Sequence, residues 1–247
     1  MDPYLYYSFY ITYSFLVTTG TITFIEALRT SIVPMRHILN LETCISIVAA
    51  YFYGKFILFI DDYKKKIKQL QEQFKKNENE EDAADMDKKQ QELKRKINMT
   101  RYVDWAITTP IMLLVLILAF RYNDNKSGIN FIDYLLILIF NYAMLGFGYL
   151  GEIQYIQKQI ANIIGFIFFG ALYAFMYYKY LTNKTGGFTK NMNNRLLFFA
   201  FLILWAFYGI FYQLGEETKN IGYNILDLFS KCFVGIYFWS YSSNIFL

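Results

Sequence analysis

Seven runs of predominantly apolar residues divide this chain, at 4–27, 38–60, 99–120, 131–151, 160–181, 196–214 and 221–247, here A to G. Each is near the roughly 20 residues that a helix needs to cross a bilayer. The expected fold class is an all-α membrane protein, a seven-transmembrane-helix bundle. Composition agrees: 55% hydrophobic, 21% aromatic and a mean hydropathy of +0.24 are high for a soluble domain. Pro110 sits inside C, where a membrane helix tolerates it. Run A lacks a basic leader and is too long for a cleavable signal peptide, so it is read as a retained helix. Cys44 and Cys232 lie in different apolar runs, which argues against a disulfide framework.

Charge is unevenly spread. Between B and C, residues 61–96 hold 11 of the 24 Lys/Arg and 10 of the 20 Asp/Glu. Apolar residues recur there at Ile67, Leu70 and Phe74, and again at Met86, Leu93 and Ile97. That spacing fits a charged helical hairpin over 61–98, extending B and C; a solvated charged loop is the competing reading. The A–B, C–D and E–F connections carry Arg29, Arg36, Arg121, Lys126, Lys184, Lys190 and Arg195, against only Lys158 and Lys219 in D–E and F–G. The positive-inside rule then sets the N-terminus outside and the C-terminus in the cytoplasm. The hairpin falls outside, and its near-neutral balance softens the conflict with a simple count of basic residues.

Ionisable groups inside apolar runs are costly and by default functional. C contains Arg101, Asp104 and Thr108; G contains Asp227 and Lys231, four apart and therefore on one helix face. Two cations and two anions make a neutral buried set, which reads either as a structural ion-pair cluster or as a site. No pattern of metal ligands or of nucleic-acid binding stands out.

The wording around these charges is more specific. Arg101-Tyr102-Val103-Asp104-Trp105-Ala106-Ile107-Thr108-Thr109-Pro110 resembles the third helix of microbial rhodopsins, and Asp227-x-x-x-Lys231 resembles their retinal-attachment site. Trp205, Tyr208 and Tyr212 on F, with Met144 and Gly148 on D, resemble the ring-lined pocket of proteorhodopsins and bacteriorhodopsin. The resemblance covers the chain outside the hairpin and implies no enzyme but an integral, multi-pass retinal protein. It further implies all-trans retinal as a Schiff base on Lys231, Asp104 as primary counterion and proton acceptor, Asp227 as second counterion and Arg101 as outer gate. Trp105, Trp205, Tyr208 and Tyr212 would sandwich the polyene, Thr109 and Met112 would contact it, and Met144 and Gly148 would border its ring. Tyr53 would hydrogen-bond the counterion region. Met112 matches the proteorhodopsin tuning position, where an apolar residue accompanies green absorption.

Departures from the family pattern shape the expected output. Gly209 replaces a proline of helix F, Asn141 an aspartate, and Lys219 the second glutamate of bacteriorhodopsin's release pair. The usual cytoplasmic donor position, eleven residues after Asp104, is Val115. Eleven residues make three turns plus about 20° and span about 16 Å, so Tyr53 to Glu42 on B is a matching step. Glu42 is the expected replacement donor; a carboxylate snorkelling to the surface near His37 is the alternative. An outward proton pump is the preferred reading. A light-gated cation channel lined by Glu26 and Glu42 is the second, and a photosensor the third, for which no signalling domain follows G. The hairpin and the abundance of Tyr, Phe, Ile, Lys and Asn resemble giant-virus rhodopsins, which implies a host membrane. The family also implies a trimer or pentamer, in which Arg29 and Arg36 either line a central opening or simply anchor the helices.

Overall fold

The computed structural model describes residues 3–77, 80–182, 191–243 and 245. Lys184, Lys190, the hairpin tip at 78–79 and the side chain of Phe74 lie outside what is described. The backbone forms α1 (Pro3–Arg29), α2 (Val33–Asn77), α3 (Glu80–Asn123), α4 (Phe131–Glu152), α5 (Lys158–Met176), α6 (Met192–Tyr212), α7 (Glu216–Asp227) and α8 (Val234–Ser242). α5 runs on into a π-helical segment, Tyr177–Leu181, and a second one, Leu228–Phe233, joins α7 to α8 in a single rod. Seven rods result, and no β-strand occurs among the described residues.

Six rods carry an apolar stretch long enough to cross a bilayer. The seventh is cut into shorter pieces by its π-helical turn, and α7 buries Lys219, Asn220, Asn224 and Asp227. Elsewhere the distribution is that of a protein dissolved in lipid: Phe131, Ile132 and Ile167 are exposed, whereas Arg101, Asp104, Asp227 and Lys231 are buried. Pro110 deprives α3 of one backbone N–H, the donor that would bond the carbonyl of Ala106. Tyr142 of α4 supplies the replacement, its hydroxyl donating to Ala106 O at 3.0 Å. Asn130 and Asn191 start α4 and α6, each side-chain oxygen accepting two backbone N–H groups of the first turn.

At 1.5 Å per residue, the 45 residues of α2 reach about 68 Å and the 44 of α3 nearly as far, more than twice the hydrocarbon thickness. Beyond the bundle they run side by side, with Tyr63 and Ile67 of α2 facing Met86 and Gln90 of α3 across a shared groove. Lys66 and Asp62 pair along the outer face at 2.8 Å. The base is tied to α1, where the Tyr6 hydroxyl donates to Asp61 and its ring lies under Lys64.

Candidate functional site

The intramembrane charges converge. Lys231 Nζ lies 2.9 Å from Asp104 Oδ2 and 3.4 Å from Asp227 Oδ2, all three groups being essentially inaccessible. Asp227 is held from two more sides, accepting from the Tyr208 hydroxyl at 2.6 Å and from that of Tyr53 at 2.8 Å. Asp104 is bound less completely: its Oδ1 has no hydrogen-bond partner. Thr108, buried beside it, donates to the Asp104 backbone carbonyl rather than to the carboxylate. Arg101 approaches Asp227 at 3.8 Å and donates to Asn220, Asn224 and Tyr53. Its salt-bridge partner is thus the second carboxylate and not Asp104.

Lys231 opens onto a cavity between the helices, about 760 Å³ with its open mouth included. Its walls include Trp105, Thr109, Met112, Met144, Gly148, Trp205, Tyr208 and Tyr212. Asp227 and Lys231 are its charged lining residues. Tyr53 is not part of this wall and meets the site through Asp227 and Arg101. Asn141 donates to Thr109, which donates to the backbone carbonyl of Trp105, so α4 is tied to α3 beside the cavity. Gly209 matters sterically: a Cβ there would stand 2.5 Å from the Phe166 ring. An apolar molecule ending in a group that condenses with an amine fits this lining, which offers the Lys231 amine and, beside it, a carboxylate pair to balance a cation.

At the α7 end lies a cluster that spacing alone did not single out. Lys219, fully buried, bonds Glu152 of α4 at 2.7 Å and Glu216 at 2.8 Å. Asn98 of α3 donates to both carboxylates. Burial pushes the Glu216 carboxyl up, but the hydrogen bond and charge of Lys219, with Asn98, outweigh it and leave the group below the ordinary carboxylate range. A signal was present in the sequence: Glu216, Asn220, Asn224, Asp227 and Lys231 follow one another at four, four, three and four residues, a polar stripe along one helix face. At the α8 end Glu42 is buried, and its Oε2 has no partner. Glu26 is buried as well and accepts from Ser242. Val115 sits in the apolar core.

Comparison with known proteins identifies the family. The profile of the bacteriorhodopsin-like protein family matches residues 5–245. A green-light absorbing proteorhodopsin from Gamma-proteobacterium EBAC31A08 is 25% identical over 155 residues, 57% of this chain; the match spans 59% of that relative's length. The crystal structure of viral rhodopsin OLPVRII is 50% identical, covering 98% of this chain and 99% of that one, with a TM-score of 0.77. The proton pumping rhodopsin AR2 from the marine alga Acetabularia acetabulum shares the fold at 16% identity, covering 100% of this chain and 97% of that one, with a TM-score of 0.69. This multi-pass membrane chain belongs to the bacteriorhodopsin-like family and is a microbial rhodopsin.

Proposed function

We propose that this chain is a light-driven outward proton pump in which Asp104 accepts the proton of the Lys231 nitrogen and Glu42 replaces it. One observation carries the reading: the buried amine of Lys231 has carboxyl groups on both sides of it along the seventh rod. Asp104 and Asp227 flank Lys231 toward α7, and Glu42 lies against Gly235 of α8, four residues beyond it. All-trans retinal, bound through Lys231 Nζ, would supply the visible absorption and the light-driven isomerisation that reorients the proton on that nitrogen. The chain's own residues do the rest. Trp105, Trp205 and Tyr208 confine the polyene, Tyr212, Thr109, Met112, Met144 and Gly148 complete its walls, and the under-bonded Asp104 is the better acceptor of the two carboxylates. Asp227, with two tyrosine donors and Arg101 beside it, stays charged. Arg101 closes the outer side by bridging toward Asn220 and Asn224.

The channel reading requires a continuous wet path. Met112, Leu113, Val115 and Leu116 are buried and apolar along the inner half of α3, which favours proton transfer between discrete groups. The basic loop residues put the N-terminus outside, the C-terminus in the cytoplasm and the charged hairpin on the outer surface. Assembly as a trimer or pentamer belongs to the same reading. Light-induced pH change in liposomes, paired with photocurrent against voltage, tests it. A pump drives current at zero driving force; a photocurrent that reverses at an ion's equilibrium potential overturns the assignment in favour of the channel.

A further inference from the structure

Glu42 and Lys231 share no hydrogen bond, and beyond Thr109 the inner half of α3 buries Met112, Leu113, Val115 and Leu116. Buried polar side chains of α1 and α2, Thr19, Thr23, Thr43 and Ser46, gather around Glu42 instead. A Cβ on Gly235 would stand 2.6 Å from Thr19 Cγ2, 3.4 Å from Thr23 Cγ2 and 3.5 Å from Glu42 Oε2; one on Gly20 would stand 3.3 Å from Ser46 Cβ. Two small residues thus let three rods close on one seam of hydroxyls. Thr23 and Thr43 are occupied: their hydroxyls lie 2.9 Å apart, one donating to the other while the acceptor donates to a backbone carbonyl of its own helix. Three oxygens differ: Glu42 Oε2, Ser46 Oγ and Thr19 Oγ1 are buried with no hydrogen-bond partner. Ser46 is one turn beyond Glu42 on the same face of α2. Thr19 faces the thiol of Cys232, the residue next to Lys231, without a well-formed bond. Buried polar atoms are rarely left unpaired, and internal water is their usual partner where protein groups are lacking.

We infer that Ser46 and Thr19 form a proton relay joining Glu42 to Lys231 along the seam of α1, α2 and α8. The inference rests on the donor reading of Glu42. A proton leaves the Glu42 carboxyl, each hydroxyl accepts one proton and passes on another, and the Lys231 nitrogen gains one. The Glu42 carboxylate is then reprotonated from the cytoplasmic water. Ser46 and Thr19 end where they began, so neither is consumed and neither carries a net charge at rest. The relay also explains how a donor on α2 serves a site whose usual inner path follows α3.

The test uses the full-length pigment in nanodiscs, comparing Ser46→Ala, Thr19→Val and their double variant with Glu42→Gln. Flash photolysis should show recovery of the visible band slowed roughly tenfold in the double variant, a small share of what a proton-transfer group contributes. Azide, a small diffusible acid, should restore the rate in the double variant and in Glu42→Gln alike. A second readout needs no turnover: the carboxyl C=O stretch that Glu42→Gln removes from the dark infrared spectrum should shift in Ser46→Ala, because its hydrogen-bonded surroundings change. Ser46→Thr, which keeps the hydroxyl, should recover at the unmodified rate. Normal recovery in the double variant together with slow recovery in Glu42→Gln overturns the relay and leaves the donor standing. Normal recovery in Glu42→Gln overturns the donor and the relay with it. Should the double variant not form pigment, Ser46→Ala alone decides by the same criteria.

Discussion

Lys231 lies within reach of two carboxylates whose surroundings differ, and the difference is chemical. Asp227 takes hydrogen bonds from two tyrosines, while Asp104 has one oxygen without a donor. A carboxylate with fewer donors gives up less when it is protonated. Asp104→Asn should therefore move the visible band to the red at neutral pH, since a neutral amide no longer stabilises the adjacent cation, and should abolish light-driven acidification. An unchanged spectrum and acid titration would remove Asp104 from the acceptor role. Lys231→Ala should abolish the band after reconstitution with all-trans retinal; a surviving covalent adduct in that variant would move the attachment elsewhere. The side chains behind these expectations were legible in the sequence because helical spacing brings Asp227 and Lys231, or Arg101 and Asp104, onto one face. Which carboxylate Arg101 meets was not legible. That depends on how α3 and α7 sit side by side, and one helix's periodicity carries no information about its neighbour's register.

Among the elements, the seventh rod is the most irregular and holds the most functional groups. Its π-helical turn contains Lys231 itself, and such turns concentrate at functional sites because a wider turn frees backbone groups and re-aims side chains. The long apolar runs predicted rods 1 to 6 well, since length and hydropathy suffice in lipid. The break in the seventh had no sequence signal beyond its polarity. The clasp of Lys219 with Glu152, Glu216 and Asn98 was legible only in part: Glu216 begins the polar stripe of α7, whereas Lys219 lies off it and Glu152 and Asn98 come from α4 and α3. Lys219→Met should leave two carboxylates facing each other without their cation, a loss of about 3–5 kcal/mol by analogy with broken buried pairs. Thermal bleaching of the visible band at neutral pH measures it. The pH dependence has a definite sign. Glu216 is held below its unfolded value of about 4.3, so its contribution is complete above that pH and fades as pH falls through the lower folded value. Bleaching that accelerated on moving from pH 7 to pH 5 would contradict this account of the clasp.

For the molecule as a whole, sidedness is the property on which the direction of transport depends. Eleven of the 24 basic residues lie in the segment between B and C. Trypsin added to intact cells should split the chain there into two membrane-retained pieces, visible as two bands on a gel. Cleavage that appears only after the cells are opened would reverse the orientation and, with it, the direction of pumping. The seven-rod architecture was readable from hydropathy alone, whereas the cavity was readable only through resemblance, because nothing in a single helix's composition says that facing helices leave space between them. The length of α2 and α3 has a practical consequence of its own. A pair of helices reaching about 68 Å stands well clear of a bilayer on one side only, like a mast on a hull. In an electron micrograph or a force-microscope height scan every copy thus carries its own polarity flag. Upright and inverted molecules in a reconstituted vesicle can be counted by eye, and a measured current divided by the correctly oriented population rather than by total protein.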